Sequence, residues 1–386
     1  MFKFNNSKFQ DTGFGVYVHI PFCKSRCSYC AFYSTLQHSM QGRYVDALIK
    51  EMLLRHDYVS GKCNSVYIGG GTPSCLAEKN ISKLLYNIYK VYNIGENAEI
   101  TIECNPDDVD ENFASFLKTM GINRVSMGAQ TFSDNRLQFI NRRHTAADVA
   151  KAVCSLRKSG IDNISVDLIF GFPCETIDEW EHDINEALAL DVNHISAYSL
   201  TIEDDTPLGR MVENGDITEI NEELSRSMYM LLLEKMADAG YEHYEISNFA
   251  KPYYRSRHNS GYWQQKPYIG LGAAAHSYDS LSRQWNVADL MSYINGVESG
   301  NMAFEREILD SQTMYNDIIT TTMRTCEGVS MAEIESAFGV NYLDEMMRSA
   351  KKHIASGLLE IKDKRLRLTS KGLFLSDLVM RDLIIV

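Results

Sequence analysis

Short apolar runs recur along the first half of the chain. Longer stretches with apolar positions three and four residues apart separate most of them. VYVHI from Val16, SVYIG from Ser65 and EITIE from Glu99 have the β-branched and aromatic content of strands. RVSMG from Arg124, ISVDLIFG from Ile164 and HISAYSL from His194 continue the series. Between them, Ile81-Leu84-Leu85-Ile88 and Ile184-Ala187-Leu188 put apolar side chains on one face of a helix. Gly121 and Gly160 stand where such helices should close. Six strands with crossover helices predict an α/β fold whose parallel sheet curls into a partial (β/α)6 barrel of the TIM type. Chemistry in such barrels gathers at the carboxyl ends of the strands, where the polar and Gly-rich residues fall here.

The pattern changes after the sixth run. DDTPLGRMVENGD, from Asp204, reads as a loop, and a long helix follows over about 222–239, closed by Gly240. Residues 241–279 read as irregular chain rich in Tyr, Gly and His. From about Glu305 the order is helix, helix, helix, two short strands around LLEIKDKRLRLT, and a last helix. That order predicts a small α+β module of winged-helix type. The expected organisation is a barrel over 1–215, a helical and loop-rich extension closing it over 216–304, and the winged-helix-like module over 305–386.

Charge and composition narrow the classes. The net charge of −13 disfavours a nonspecific grip on phosphate backbones. Residues 305–386 carry 11 basic and 13 acidic side chains, and the basic ones concentrate in KDKRLR. That is a wing-like hairpin and not a basic face, so nucleic acid is not an expected partner. The opening MFKFNNSKFQ lacks the apolar core and cleavage signature of a signal peptide, and no apolar run is long enough to cross a bilayer. The expected location is the cytoplasm. In a reducing compartment nine cysteines need not form disulfides. Cys63, Cys75, Cys104, Cys154, Cys174 and Cys326 are scattered and read mostly as small core residues.

Cys23, Cys27 and Cys30 are different. They form Cys-x3-Cys-x2-Cys directly after the first strand. Thiolates are soft ligands that suit iron–sulfur clusters or zinc. Three of them on a four-iron cubane leave one iron open for the amino and carboxylate groups of S-adenosylmethionine (SAM). One electron from the cluster then breaks a C–S bond and releases a 5′-deoxyadenosyl radical. The competing reading is a structural zinc with Cys3His ligation through His19.

The spacing, with an aromatic residue before the last cysteine, is the signature of the radical SAM superfamily. YVHIPFCKSRCSYC closely resembles the oxygen-independent coproporphyrinogen dehydrogenase branch, which includes the HemW-type heme chaperones. The resemblance runs through essentially the whole chain. It implies a [4Fe–4S] cluster on Cys23, Cys27 and Cys30, and a SAM site built from several strand ends. Gly69-Gly70-Gly71-Thr72-Pro73 matches the element that meets the SAM amino group, though a Gly run is also what a tight turn needs. Glu103 matches the carboxylate for the ribose hydroxyls, and Gln130 a SAM-contacting glutamine. Arg142 matches the arginine for the SAM carboxylate, with Arg143 as the neighbour to confuse it with. Asp167 matches the acid near the ribose. It also stands inside an otherwise apolar strand, where an acid is costly unless paired or liganded. Tyr17 maps onto a tyrosine that touches substrate or SAM, and is equally placed to be core.

Two functions share this scaffold: oxidative decarboxylation of coproporphyrinogen III, and binding of heme for delivery to apoproteins such as respiratory enzymes. The dehydrogenases carry a further cysteine two residues after the third, where this chain has Phe32. They also have a long N-terminal arm, and about fifteen residues precede the first strand here. His258-Asn259-Ser260-Gly261-Tyr262-Trp263 matches the HNxxYW motif of the chaperones. All three point to a heme chaperone. His258 is then the leading candidate for the heme axial ligand, and His276 in GLGAAAHS the second, unless His276 lies near the SAM adenine. The resemblance also implies a homodimer, and membrane contact only at the periphery, through partners. A radical SAM enzyme acting on RNA would need a basic surface that the chain lacks.

Overall fold

The computed structural model describes residues 13–385. The opening MFKFNNSKFQ, on which the signal-peptide reading rests, lies outside the described residues. Six parallel strands form the centre: β1 (Phe14–Ile20), β2 (Cys63–Gly70), β3 (Ile94–Cys104), β4 (Arg124–Gln130), β5 (Asn163–Phe170) and β6 (His194–Ser199). They lie in chain order, each hydrogen-bonded to the next. Each of the six predicted runs lies on one of them, with ISVDLIFG and HISAYSL running one residue past the strand end. The fold is α/β, a partial barrel with a parallel sheet, as the pattern predicts.

Strand alternation divides the residues into two sets. Val16, Val18, Val66, Ile68, Ile102, Val125, Met127, Val166 and Leu168 are buried under the outer helices. Each such side chain contributes about 1.5–3 kcal/mol on leaving water. The helix Glu78–Val91 covers them with the predicted stripe, Ile81, Leu84, Leu85 and Ile88, all buried. The helix Ile177–Ala189 does the same with Trp180, Ile184 and Ala187, and opens on a Thr176–Glu179 capping box. Gly121 and Gly160 follow helix ends with φ of 82° and 83°, a region where glycine alone is unstrained. The opposite face of the same strands is polar. Tyr17, Tyr67 and Thr101 lie in one register row across β1, β2 and β3. Gly128, Asp167 and Ser196 form another across β4, β5 and β6. This face is the barrel's interior.

Residues 241–279 are not irregular. They hold β7 (Glu242–Glu245), β8 (Asn248–Ala250), the helix Arg257–Trp263, β9 (Tyr268–Leu271) and β10 (His276–Tyr278). With β11 (Ser282–Asn286) and β12 (Phe304–Ile308) they extend the sheet to twelve strands, in the order β12-β11-β10-β9-β1-β2-β3-β4-β5-β6-β8-β7. The extension expected to be helical and loop-rich therefore adds strands at both edges. Strands of three or four residues carry too little alternation to be read locally, and pairing with distant chain holds them. β9, for example, runs parallel to β1 with Tyr17 opposite Gly270. The loop from Asp204 likewise contains a helix, Pro207–Glu213, capped by Thr206 with proline in its first turn.

The C-terminal region opens on β12, where the pattern gives helix. The helices Ser311–Thr322, Met331–Phe338 and Val340–Ala355 follow, then β13 (Val329–Ser330) pairs with the hairpin of β14 (Leu359–Lys362) and β15 (Arg365–Leu368). Two short helices, Ser370–Leu373 and Ser376–Leu383, end the described chain. This module has its own core around Tyr315, Ile319, Met323, Ile334, Met346, Leu366 and Val379. Arg324 to Glu245 at 3.1 Å and Glu327 to Arg255 at 2.7 Å join it to the strands beside the barrel. Arg367 of the wing pairs with Glu360 at 2.6 Å, so the hairpin's charge is partly neutralised within it. No helix among the described residues is long and apolar enough to cross a membrane.

Candidate functional site

The loop after β1 is pinned from three sides. Cys23 N–H donates to Thr35 O at 3.0 Å and Thr35 N–H to Pro21 O at 2.7 Å. Ser28 N–H donates to Ile140 O at 3.1 Å, and Asn141 Nδ2 to Arg26 O at 2.7 Å. Leu208 N–H of the short helix donates to Ser28 O at 3.0 Å. None of the three cysteines is in a disulfide. The Thr72 hydroxyl lies 3.6 Å from the Cys23 sulfur, and Arg142 Nη1 3.6 Å from the Cys27 sulfur. Burial raises the pKa of Cys23 and Cys30 above the ordinary thiol value. A bound metal reverses that by taking the thiolate form.

His19, the imidazole that a Cys3His zinc would require, is engaged elsewhere. Its Nδ1 meets the Tyr17 hydroxyl at 2.9 Å and its Nε2 the Tyr33 carbonyl at 3.0 Å. Among the described residues no three His, Cys, Asp or Glu side chains close on a single metal-ion position. Three soft donors on one loop, with a cation beside one sulfur, fit an anionic cluster held by thiolates only.

The end of β2 leaves backbone bare beside this loop. Gly70 has φ 111°, and a Cβ there would meet the His19 ring at 2.5 Å. At Gly71 a Cβ would come within 2.9 Å of the Ile20 and Phe22 carbonyl oxygens. Gly71 N–H donates to Ile20 O and Thr72 N–H to Phe22 O, both at 2.8 Å, which ties the glycines to the cysteine loop. Glu103 accepts from the Tyr67 hydroxyl at 2.7 Å and from Gly70 N–H at 3.0 Å. Burial pushes its pKa up to about 7, against the pull of the Tyr67 bond.

Arg142, Gln130 and Asp167 meet the same space. Arg142 Nη2 donates to Gly128 O, and its Nε is buried without a hydrogen-bond partner. A buried guanidinium N–H with no acceptor is what an incoming carboxylate satisfies. Arg143, by contrast, is paired with Asp107 at 2.9 Å and Asp108 at 3.2 Å. Gln130 sits at a β-bulge with φ 67°, its side chain over Gly128. Asp167 lies 3.5 Å from the Ser126 hydroxyl, and burial raises its pKa against a Ser196 hydrogen bond and the Arg124 charge. Tyr17 stacks on Tyr67 with ring centroids 6.3 Å apart.

His258 is not at this end of the barrel. It lies at the floor, against Gly15 and Ser65 near the starts of β1 and β2. It is 3% exposed. Its Nδ1 meets the Ser65 hydroxyl at 2.9 Å, its Nε2 the Tyr262 hydroxyl at 2.8 Å, and its ring stacks on Tyr67 at 5.2 Å. Burial, then Arg124, lowers its pKa to about 3, so it is neutral. Glu99 accepts from the backbone N–H groups of Arg257 and His258, fixing the helix to β3. Outside the floor is a pocket of about 470 Å³ whose lining includes Lys62, Asn97, Arg257 and Lys266. His276, the second candidate, is exposed on β10 and stacks on Trp285 at 5.8 Å and 21°.

Sequence reasoning missed two interior residues. Tyr67 orients Glu103 and was hidden within an ordinary strand run. Arg124 is 1% exposed, and its Nε and Nη1 have no hydrogen-bond partner. A charge opening the apolar run RVSMG was the signal, the same one that singles out Asp167.

Known proteins resemble this chain both in sequence and in fold. Residues 17–187 match the radical SAM superfamily, and residues 309–375 the HemN C-terminal domain. The heme chaperone HemW of Bacillus subtilis is 35% identical over 366 residues, covering 94% of this chain and 96% of the relative. The heme chaperone HemW of Lactococcus lactis is 32% identical, covering 92% and 93%. Among solved structures, coproporphyrinogen III oxidase (HemN) from Escherichia coli, described as a radical SAM enzyme, superposes with a TM-score of 0.85. It is 21% identical, with 97% of this chain and 90% of that one covered, and shows a common fold.

Proposed function

The chain belongs to the HemW family of heme chaperones within the radical SAM superfamily, and from that membership we propose that it binds heme and passes it to apoproteins. The observation that carries this reading is the match to the Bacillus subtilis chaperone across 94% of the chain and 96% of the relative. Phe32 supports it. The side chain stands where a dehydrogenase has its further cysteine, is 71% exposed, and is no ligand for a cluster.

In this reading Cys23, Cys27 and Cys30 hold a [4Fe–4S] cluster. When bound, that group supplies a Lewis-acidic iron for SAM and a single electron. Gly70, Gly71 and Thr72 offer backbone groups to the SAM amino end, and the unsatisfied Arg142 Nε its carboxylate partner. Gln130 borders the same space. Glu103 and Asp167 accept from the ribose hydroxyls, Glu103 held in place by Tyr67 and Gly70. Tyr17 walls the space towards the floor. Heme iron would be held by a histidine, His258 or His276 being the two that sequence singled out. The cytoplasm is the proposed location, with heme-accepting apoproteins, some at the membrane, as partners and a homodimer as the working form.

The fold shared with the Escherichia coli oxidase keeps a second reading in view, oxidative decarboxylation of coproporphyrinogen III. One preparation separates the two. Anaerobically reconstituted protein is given coproporphyrinogen III, SAM and reductant, and separately titrated with heme. Stoichiometric heme binding without protoporphyrinogen is expected. Protoporphyrinogen formed at enzymatic rates would overturn the chaperone reading.

A further inference from the structure

We infer that Arg124 is a positioning residue for SAM: its buried guanidinium is the fixed counter-charge of Glu103 and Asp167, the two acids placed for the ribose hydroxyls. This rests on the cluster-and-SAM reading above and adds to it a residue that touches neither group.

Register places Arg124 inside the barrel. Tyr17, Tyr67 and Thr101 share a row of the interior face, and the same row runs on through Arg124 on β4 to Asn163 on β5. Arg124 is 1% exposed, yet its Nε and Nη1 have no hydrogen-bond partner. Its two neighbours in the row do not supply one, since Thr101 Oγ1 and Asn163 Oδ1 are themselves without partners. A buried guanidinium stays charged at any ordinary pH, so an anion elsewhere in the interior has to balance it.

The floor below offers no free anion. His194 is closed by the Ser165 and Tyr244 hydroxyls, both at 2.7 Å, as His258 is by Ser65 and Tyr262. Burial, and after it the Arg124 charge, holds both rings neutral. Burial also keeps the Tyr67 and Tyr244 hydroxyls protonated. Glu99 is the acid at this level, two residues before Thr101 on β3. Both of its oxygens accept from N–H groups at the start of the helix Arg257–Trp263: Oε1 from Arg257 and His258, Oε2 from Arg257.

The acids left are above. Glu103 is two residues past Thr101 and Asp167 four past Asn163, so alternation turns both to the same interior face as Arg124. Their hydrogen bonds come from neutral donors: Tyr67 and Gly70 N–H to Glu103, Ser126 and Ser196 to Asp167. Neither acid is thereby neutralised, and the Arg124 charge pulls the pKa of both down against burial. The remaining titratable groups around Glu103 are His19 and Tyr17 on β1, Tyr67 on β2, Cys104 on β3 and Tyr262 on the helix Arg257–Trp263, all held neutral by burial. Around Asp167 stand Tyr29, Tyr198 and Arg142, and Arg142 is engaged with the Cys27 sulfur and the Gly128 carbonyl. Arg124 is thus the cation that lets the pair meet ribose as carboxylates, which only accept and so suit two vicinal hydroxyls.

The test is the SAM affinity of the reconstituted full-length chain from pH 6 to 9, by equilibrium dialysis. Wild-type binding should weaken as pH falls through about 7, where Glu103 takes up its proton. In Arg124→Gln that weakening should set in at higher pH. Affinity near pH 7 should then be at least about tenfold lower, approaching wild type at pH 9, since each pKa unit is about tenfold. Arg124→Lys, which keeps the charge, should follow the wild-type profile. Equal weakening of Arg124→Gln at every pH would overturn the inference, as would a Lys variant as weak as the Gln one. A second readout needs neither cluster nor SAM. At pH 8, Glu103→Gln should raise the melting temperature of the cluster-free chain more in the Arg124→Gln background than in the wild-type one. An equal gain in both backgrounds, or a stronger coupling of Arg124 to Glu99→Gln, would sink the pairing; Arg124→Met takes the place of Arg124→Gln should the latter not fold. A wild-type chain that holds a cluster but binds no SAM would instead overturn the SAM reading, and the cluster-free comparison would still decide whether Arg124 and Glu103 are a pair.

Discussion

The guanidinium of Arg142 stands between the Cys27 sulfur, 3.6 Å from Nη1, and the Gly128 carbonyl, while its Nε is buried without a partner. One side chain thus touches the cysteine loop and presents an unused donor beside it. Arg142→Ala should retain an iron–sulfur cluster yet bind SAM about 10–100-fold more weakly, the scale of one charge-assisted hydrogen bond of about 1.5–3 kcal/mol. Equilibrium dialysis of SAM against reconstituted protein measures this. Unchanged affinity would remove Arg142 from the site.

Cys27→Ser exchanges a soft thiolate for a hard hydroxyl on the same loop. The visible absorbance of the reconstituted cluster should disappear while the far-ultraviolet circular dichroism stays. A full cluster spectrum in this variant would refute the ligand assignment.

Glu103 makes stability depend on pH. Its folded pKa is raised from the ordinary value of 4.5 to about 7, so between those values the folded chain holds a proton that the unfolded chain has released. The group's contribution is therefore fully present below pH 4.5 and lost as pH rises through 7. Glu103→Gln, which keeps the shape without the charge, should raise the melting temperature of the cluster-free chain on the order of a few degrees at pH 8 and hardly at all near pH 5. Thermal unfolding at the two pH values decides it; an equal shift at both would show that the charge is not the cause.

Tyr262→Phe removes the hydroxyl that meets His258 Nε2 in the barrel floor. A buried ring nitrogen then loses its partner, which costs about 1–3 kcal/mol. Denaturant unfolding should show that loss with the slope unchanged. No loss would mean that the HNSGYW segment is not held through this pair.

Phe32→Cys tests the difference from the dehydrogenases. Phe32 is exposed, so stability should stay within about 0.5 kcal/mol. No protoporphyrinogen should form from coproporphyrinogen III, because one thiol does not rebuild a substrate pocket. Turnover in this variant would make Phe32 the switch between the two activities.

Much of this protein was legible before any coordinates. The six strand runs were readable because each is long enough for alternation or continuous burial to register within the run itself. The outer helices were readable because Ile81, Leu84, Leu85 and Ile88 repeat within one segment. The cysteine loop was readable because all three donors lie within eight residues of one another. Residues 241–279 were not, because β7 to β10 are three or four residues long and are held by strands far away in the chain.

By itself, then, the sequence determined the parallel barrel, the thiolate loop and the family, since each is written in local spacing. Only the tertiary structure decided what the two histidines can do. His258 and His276 are equivalent as letters, each in a short Gly-containing segment, HNSGYW and GLGAAAHS. Folding closes Ser65 and Tyr262 onto both nitrogens of the first and stacks the ring of the second on Trp285. The reason is physical: a lone pair is free or engaged according to neighbours that pairing brings from far along the chain, and no local pattern carries that information.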